Sequence, residues 1–266
     1  MMDTVNFLCV GGEKYGCELF SNGSNGKIVT VDEAISNLSL PLCWAGSHKE
    51  VLYQHCIENN RKFYNLDTGY FGNAKRKEII RVSINNFQDQ SPIVDRPDDR
   101  LKLLSPKIQD FVRGATIVIV PPDEKISKSF KLPDNWVEKT QEEIKKYSDR
   151  PMKVRSRPVS RNTRLLSNTF KDFIKNDTHV VVGYSSNALV EALLCGIPVI
   201  ALGHSASTSL MNYKLSDIEN IGNIDQEKRY SWLKHLSYRQ FSHKELENGL
   251  AWELLTTEPS SIRSGA

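Results

Sequence analysis

The chain has 266 residues, of which 39% are hydrophobic and 25% are charged, and its formal net charge at pH 7 is +3. This length suits one large or two small domains, and this composition is typical of a globular protein and excludes a wholly disordered chain. No apolar run approaches the roughly 18 residues of a membrane-spanning helix, and the first residues lack the basic-then-apolar layout of a signal peptide. We therefore expect a cytoplasmic protein without a membrane span.

The five cysteines are odd in number and form neither a CxxC pair nor a zinc-type spacing with histidine. We expect buried, reduced thiols rather than disulfides or metal ligands. The cysteines are Cys9, Cys17, Cys43, Cys56 and Cys195.

Strands and helices are predicted to alternate through the first half of the chain. Apolar runs predict strands over residues 5–10, 27–31, 42–45, 62–66 and 79–84. Helical spacing predicts helices over residues 50–60 and 100–111. A flexible turn is expected over residues 21–26, and a Pro- and Asp-rich loop over residues 88–99.

The second half continues this alternation. Strands are predicted over residues 117–120, 152–154, 179–182 and 199–202, and helices over 136–147, 164–174 and 188–194. Strands that alternate with helices predict parallel sheets. Gly and Pro near residue 114 and a return helix near the C-terminus predict two Rossmann-like domains, over 1–114 and 115–235, that face each other across a cleft. Residues 236–266 are expected to form helices that return to the first domain.

Residues 179–205 are the most informative segment, because an apolar strand leads through a small polar turn directly into a helix. The turn consists of Gly183, Tyr184, Ser185, Ser186 and Asn187. Such a turn aims backbone N–H groups and the positive end of the helix into one space, which suits a phosphate. The alternative is structural, since any β-α-β unit needs small residues at this turn.

The helix after this turn is apolar except for Glu191. A carboxylate there is costly unless it leaves the core face and accepts a specific hydrogen bond, for which a ribose diol is a suitable donor. Gly196 stands where a helix C-cap belongs, and Pro198 prevents the helix from continuing. This half of a parallel sheet therefore has a polar mouth of the kind that binds nucleotides, and His204 and Ser205 follow its last strand.

This segment resembles the nucleotide-sugar half of GT-B glycosyltransferases of the capsule-polysaccharide-synthesis type and of their small relatives in tailed phages. The matching residues are Ser185-Ser186-Asn187, Glu191-Ala192-Leu193 and Gly196-Ile197-Pro198-Val199-Ile200. Three further segments carry the likeness, over residues 117–122 with Trp136, over 149–158 and over 238–245. The likeness runs from about Trp44 to Leu255 and is clearer in the second half.

The resemblance implies a GT-B-like α/β fold, in which residues 1–114 form the acceptor-side domain and residues 115–235 bind the nucleotide-sugar, expected to be a UDP-sugar. It implies that the turn residues bind this sugar donor together with Glu191, His204 and Ser205. It also implies that no metal cofactor is needed. The sequence has no Asp-x-Asp motif, and basic residues with a helix N-terminus replace a metal electrostatically.

Lys153, Arg155 and Arg157 alternate along a predicted strand between two prolines. Period-two spacing puts the three cations on one face, where on an inner strand they would repel one another unless they met an anion. We therefore expect Arg155 and Arg157 to stabilise the departing diphosphate. The alternative is an exposed edge strand that its charges protect from aggregation.

Two strand ends of the first domain put small and polar residues where open α/β sheets bind ligands. Asp67 is the expected general base for the acceptor hydroxyl, or else a turn cap. His48 is the other candidate base, or simply the first residue of its helix. Arg81, on a strand face, is expected to meet an anion or a buried carboxylate. The acceptor site is assigned to Gly46, Ser47, Gly69, Tyr70, Lys75, Arg76, Lys77 and Arg81.

These features predict an enzyme, a glycosyltransferase that moves a sugar from a nucleotide-sugar to a hydroxyl acceptor. The likeness to phage proteins and a run of basic residues favour double-stranded phage DNA that carries 5-hydroxymethylcytosine or a related pyrimidine, in the host cytoplasm. The run comprises Lys75, Arg76, Lys77, Arg81, Arg96, Arg100, Lys102, Lys107 and Arg113. A solvated basic face is the alternative for this run. The alternatives for the chain are a polysaccharide or glycolipid acceptor, and a non-catalytic nucleotide- or glycan-binding module.

Overall fold

The computed structural model describes residues 5–11, 16–45, 49–71, 78–111, 113–155, 169–174 and 177–257. The chain divides into two compact units. Unit 1 combines the residues up to Leu104 with those from Leu233 onward, and unit 2 runs from Ser105 to Trp232. No helix among the described residues is long and apolar enough to cross a membrane.

The described elements alternate along most of the chain. The strands are β1 (Leu8–Val10), β2 (Lys27–Val29), β3 (Leu42–Ala45), β4 (Phe63–Thr68), β5 (Ile79–Ile84), β6 (Thr116–Val120), β7 (Met152–Val154), β8 (Thr178–Gly183), β9 (Val199–Ala201) and β10 (Gln240–Ser242). The helices are α1 (Cys17–Gly23), α2 (Val31–Ser36), α3 (Lys49–Glu58), α4 (Asp99–Leu104), α5 (Glu124–Ser129), α6 (Trp136–Ile144), α7 (Phe170–Ile174), α8 (Asn187–Leu194), α9 (Gln226–Ser237), α10 (His243–Glu247) and α11 (Leu250–Thr256). Two short 3-10 helices cover Ala206–Ser209 and Leu215–Asp217.

Unit 1 contains a six-stranded sheet in the order β10-β5-β4-β3-β1-β2. The strands from β2 to β4 are parallel neighbours, as the alternation of strands and helices predicts. β5 pairs antiparallel with β4 on one side and with β10 on the other. The segment that returns from unit 2 therefore supplies the edge strand of this sheet.

The core of unit 1 is rich in aromatic rings. Phe7, Phe20, Tyr64 and Trp252 lie with ring centroids between 5.2 and 6.2 Å apart. Trp252 belongs to α11, so the returning segment also contributes to this core. Rings at these distances add to the stabilisation that their buried area provides.

Buried charged side chains join the returning segment to the rest of unit 1. The Asp89 carboxylate accepts hydrogen bonds from Arg239 Nε (2.8 Å) and His235 Nε2 (3.0 Å). The Arg100 guanidinium donates to the Gln240 carbonyl oxygen (2.6 Å). All four charged or titratable side chains in these contacts belong to buried residues. Buried charges of this kind are stable only as long as each keeps its partner.

Unit 2 contains a four-stranded sheet in the order β7-β6-β8-β9, and each of its pairings is parallel. β6 and β8 are central and wholly buried, as expected for strands that are covered on both faces. β7 is an edge strand with partly or fully exposed residues. The predicted α/β fold with two sheets of parallel strands is therefore confirmed, with an antiparallel extension in unit 1.

Several predicted elements end earlier than expected, and the structure shows the reason for two of them. The helix predicted over residues 100–111 ends at Leu104, because Ser105 adopts a positive φ of 41° and precedes a proline. The strand predicted over residues 27–31 ends at Val29, because Thr30 caps α2 through reciprocal hydrogen bonds with Glu33.

The prediction of an inner cationic strand is wrong, and its edge-strand alternative is correct. β7 lies at the edge of its sheet and ends at Val154, so Arg155 directly follows the strand. Val154 is itself exposed, which removes the alternation of buried and exposed residues on which the prediction rested. Arg157 lies outside the described residues.

The buried pairing of Asp89 predicts how unit 1 responds to acid. Burial raises the pKa of Asp89, but the charge of Arg239 and the hydrogen bond from His235 outweigh burial and hold this pKa well below its ordinary value. A carboxyl whose pKa falls on folding stabilises the fold above its unfolded pKa, near 3.9, and loses that contribution as the pH falls towards its folded pKa. We expect Asp89→Asn to lower the free energy of unfolding by about 3 kcal/mol at pH 7, and by progressively less below about pH 4.

Urea denaturation at pH 7 and at pH 3 measures this difference. The matched control is Asp95→Asn, since Asp95 pairs with Lys234 of the same returning segment but is exposed. This control is expected to change stability little at either pH. A loss in Asp89→Asn that is the same at both pH values would contradict the assignment.

Candidate functional site

The parallel strands of unit 2 end together at one edge of the sheet. The register pairs Ile119 with Val154 and Val120 with Gly183. Arg155 directly follows Val154, so its backbone lies two strand spacings, roughly 10 Å, from Gly183. Ligands of open parallel sheets bind at an edge of this kind.

The polar turn at this edge joins β8 to α8. The Ser186 hydroxyl caps α8 by accepting a hydrogen bond from the Ala188 N–H (3.2 Å). Ser185 is buried, and its hydroxyl oxygen has no hydrogen-bond partner among the residues that the structure describes. Since buried hydroxyl groups normally have a partner, Ser185 is suited to bind a ligand at the N-terminus of α8.

The helix α8 turns its apolar side chains into the core. Its buried residues are Leu189, Val190, Ala192, Leu193 and Leu194. Glu191 is partly exposed and lies one helical turn after Asn187, on the same face of the helix. The carboxylate therefore leaves the core face, as its chemistry requires.

Phe130, Tyr184 and His204 form an aromatic trio beside the turn. The Phe130 ring stacks on His204 with centroids 4.9 Å apart, and it lies 5.3 Å from the Tyr184 ring. Partial burial lowers the pKa of His204 and raises that of Tyr184, so both rings are neutral at pH 7. Neutral, partly exposed rings suit contact with a flat base or a sugar ring.

Phe130 is the member of this trio that the sequence pattern does not indicate. Phe130 directly follows α5, and only the capping residue Asp123 indicates this helix in the sequence. The contact of Phe130 with His204 joins residues that lie far apart along the chain. Asp123 accepts from the Ile126 N–H (2.9 Å), which is the usual geometry of a helix N-cap.

Ser205 and Arg155 have other contacts than those expected of sugar-donor ligands. Ser205 is fully buried, and its hydroxyl accepts from the Ser207 N–H (3.2 Å), which caps the following 3-10 helix. Ser205 therefore has a structural contact of its own, and its role in binding the sugar donor stays a prediction. The Arg155 guanidinium lies 5.1 Å from the centroid of the Phe173 ring, a cation–π contact that keeps it beside the carboxyl edge.

In unit 1, Asp67 and Arg81 face each other across β4 and β5. Arg81 Nη2 donates to Asp67 Oδ2, and Arg81 Nη1 donates to the Thr68 carbonyl oxygen, both at 2.9 Å. Asp67 is thus the carboxylate partner that Arg81 was expected to have. Arg81 is 4% exposed and makes these contacts within the unit, and its role in an acceptor site stays a prediction.

Asp67 combines a structural contact with partial exposure. Its Oδ1 accepts from the Thr68 N–H (2.8 Å), and its side chain keeps 30% of its surface exposed. It lies inside β4, since this strand extends to Thr68 instead of ending at residue 66. This arrangement holds the carboxylate in one orientation while leaving part of it accessible.

The other described members of the expected acceptor site are internal. Tyr70 is buried, and its hydroxyl accepts from the Asp89 N–H (2.7 Å). A Cβ atom on Gly69 would lie 2.7 Å from the Gln240 side-chain oxygen, so the space beside Gly69 is already filled. Both residues are therefore closely packed, and their role in an acceptor site stays a prediction. Gly46, Ser47, His48, Lys75, Arg76 and Lys77 lie outside the described residues.

No protein-family model matches the chain, and no curated protein matches it. The structure is similar to two solved structures from Thermosulfurimonas dismutans. One is KpsC, beta Kdo 2,7 transferase, with 15% sequence identity, a TM-score of 0.46, and coverage of 93% of this chain and 99% of that one. The other is KpsC, beta Kdo 2,4 transferase, with 13% identity, a TM-score of 0.47, and coverage of 87% and 90%.

Gly196 ends α8, the helix whose N-terminus lies at this site. Its φ is +75°, and a Cβ atom there would clash with the Asp110 carbonyl oxygen. We expect Gly196→Ala to lower the free energy of unfolding by at least about 2 kcal/mol, because the clash adds to the strain of a left-handed alanine.

Chemical denaturation tests this expectation, with Gly222→Ala as the matched control. Gly222 is outside the left-handed region, and a Cβ atom there would meet only the hydroxyl of Tyr213, at 3.2 Å. Equal losses of stability in the two variants would show that the conformation of Gly196 is not required.

Proposed function

We propose that this chain is a GT-B-like glycosyltransferase that moves a sugar from a nucleotide-sugar to a hydroxyl acceptor. The main support is the buried Ser185 hydroxyl, which has no partner among the described residues and lies at the N-terminus of α8. This position is at the carboxyl edge of a parallel sheet, where backbone N–H groups and the helix dipole favour an anion. The resemblance of residues 185–200 to the nucleotide-sugar half of GT-B enzymes agrees with that placement.

The groups at this edge match the parts of a nucleotide-sugar such as a UDP-sugar. In this proposal the diphosphate binds at the turn, where Ser185 and the first N–H groups of α8 donate to it. The aromatic trio provides a flat surface for the base or the sugar. Glu191 accepts hydrogen bonds from the ribose diol, one helical turn further along α8.

Departure of the diphosphate requires stabilisation of growing negative charge. In our proposal Arg155 and the N-terminus of α8 supply it, and no metal ion is needed. Arg155 is held beside the carboxyl edge by Phe173 and is partly exposed.

Asp67 is our candidate for the base that takes the acceptor proton. Its ion pair with Arg81 orients the carboxylate, and its exposed fraction leaves it accessible to a hydroxyl group. The structural alternative is that Asp67 serves only to join β4 to β5. The two roles differ in what Asp67→Asn does to turnover and to stability.

For the acceptor we propose double-stranded DNA that carries a 5-hydroxymethylpyrimidine. The support is the phage-like resemblance and the basic residues Lys75, Arg76 and Lys77, which would neutralise phosphates. A polysaccharide or glycolipid hydroxyl is the competing acceptor, and the experiment on Asp67 includes both.

If Ser185 and Glu191 bind the sugar donor, Ser185→Ala and Glu191→Ala should each weaken its binding. Each variant removes a charge-assisted hydrogen bond of roughly 1.5–3 kcal/mol, so the affinity for UDP or a UDP-sugar should fall by about ten- to a hundredfold. Titration calorimetry measures the affinity, and circular dichroism confirms that each variant is folded. The control is Glu143→Ala, since Glu143 lies in α6 and pairs with Lys146. Unchanged affinity in folded Ser185→Ala and Glu191→Ala proteins would refute the assignment.

The assignment of Asp67 as the general base is tested by Asp67→Asn, which keeps the shape of the side chain and removes its basicity. Turnover should fall by about 10² to 10⁴ while sugar-donor affinity persists. The control is Asp98→Asn, since Asp98 is a carboxylate of unit 1 that pairs with Lys102 at the surface. A variant that loses stability but keeps its turnover would assign Asp67 to the structural role alone.

The assay offers hydroxymethylated duplex DNA and a glycan as separate acceptors. Product on DNA supports the proposed acceptor, and neutralising Lys75, Arg76 and Lys77 should then weaken DNA binding and flatten its salt dependence. Product on the glycan alone would refute the DNA acceptor while leaving the glycosyltransferase proposal in place.

A further inference from the structure

Cys9, Cys17 and Cys43 form a thiol cluster in unit 1. Their three sulfur atoms lie within 4.8 Å of one another. Each cysteine is fully buried and unoxidised. Three thiols this close, outside the candidate glycosyltransferase site, form a set of donor atoms that the proposed function does not use.

The fold brings these cysteines together from distant positions. Cys9 and Cys43 are direct neighbours in the parallel pairing of β1 with β3, so their side chains lie on the same face of the sheet. Cys17 is the first residue of α1, the helix that packs on that face. Two strands and one helix therefore fix the cluster, which is the kind of rigid support that a binding site requires.

The cluster fits a soft metal ion in both size and chemistry. Three sulfurs bound to one ion at about 2.3 Å in a trigonal plane lie about 4.0 Å apart. The cluster reaches this spacing if its widest separation contracts by less than about 1 Å. Thiolates select soft ions such as Cu(I) and Zn(II) over hard ions such as Mg²⁺ or Ca²⁺. Among the described residues the set consists of these three sulfurs, and no His, Asp or Glu joins it.

Ser21 is placed where it could make the outer contact that metal-bound thiolates usually have. It lies one helical turn after Cys17, is fully buried, and has no hydrogen-bond partner of ordinary geometry among the described residues. The Cys9 sulfur is within reach of its hydroxyl. A hydroxyl that donates to a ligating thiolate orients the ligand and stabilises its charge.

We propose that Cys9, Cys17 and Cys43 bind one soft, thiophilic metal ion, Cu(I) or Zn(II), through their three thiolates, with Ser21 donating to the Cys9 thiolate, and that this ion stabilises unit 1. The number and spacing of the cysteines predict buried thiols that bind no metal. Spacing rules detect only ligands that lie close together along the chain, and this cluster forms through strand pairing and helix packing. Since the sulfurs are buried, the ion enters as the chain folds or through local opening.

The first experiment uses the whole chain, unfolded and refolded under reducing conditions with Cu(I) in one arm and Zn(II) in the other. We expect one ion per chain after gel filtration, a thiolate-to-metal absorption band in the Cu(I) arm, and a higher melting temperature than that of the metal-free protein. X-ray absorption at the metal edge should show three sulfur neighbours at about 2.3 Å. Failure of both ions to bind, or a first shell of nitrogen and oxygen, would overturn the proposal without relying on any variant.

The second experiment compares cysteine variants inside and outside the cluster. Cys9→Ser and Cys43→Ser should each lower the affinity for the ion by more than about a hundredfold, and Ser21→Ala by about ten- to a hundredfold. Cys56→Ser and Cys195→Ser are matched controls, since both remove a buried thiol elsewhere in the chain, and they should leave the affinity unchanged. Equal losses in the cluster and control variants, with folding checked by circular dichroism, would overturn the proposal. Neither result depends on the glycosyltransferase assay.

Discussion

The buried Asp89 carboxylate is the group that joins the returning segment, residues 233–257, to the rest of unit 1. Its partners Arg239 and His235 both come from the returning segment, and a charge buried this deeply is tolerated only while it is paired. Arg239 directly precedes β10, and its carbonyl oxygen accepts a hydrogen bond from the Val82 N–H of β5 (2.9 Å). The ion pair therefore also places β10 against β5. Through β5 it supports Arg81, which in turn orients the candidate base Asp67.

The sequence predicts those parts of the fold that local patterns determine. The strand β8, the turn after it, the helix α8 and the glycine that ends the helix occur where the pattern of apolar residues, Gly and Pro places them. Each of these features depends on residues a few positions apart, so periodicity and capping rules suffice. The antiparallel additions to unit 1 were not predictable in this way, because β10 pairs with a strand that lies far back along the chain.

Long-range contacts account for what the sequence does not predict about the candidate site. The stacking of Phe130 on His204, the pairing of Asp67 with Arg81 and the meeting of three cysteines all join residues whose positions along the chain show no relation. Chemical type still gave partial information, since an arginine on a strand face implied a carboxylate partner. What remained undetermined was which carboxylate, and strand register decides that.

Contacts within unit 1 reduce the number of its basic residues whose positive charge is open to a ligand. Arg81 and Arg100 are buried, and their guanidinium groups bind carboxylates and backbone carbonyl oxygens of the unit itself. The Arg96 guanidinium lies 5.2 Å from the centroid of the Tyr238 ring. A cation committed to internal contacts cannot release counterions from a polyanion, so the formal charge of this region overstates the positive charge that is open to a ligand. Arginine's planar fork suits it to internal pairing of this kind, whereas the exposed Lys102 forms its ion pair, with Asp98, at the surface.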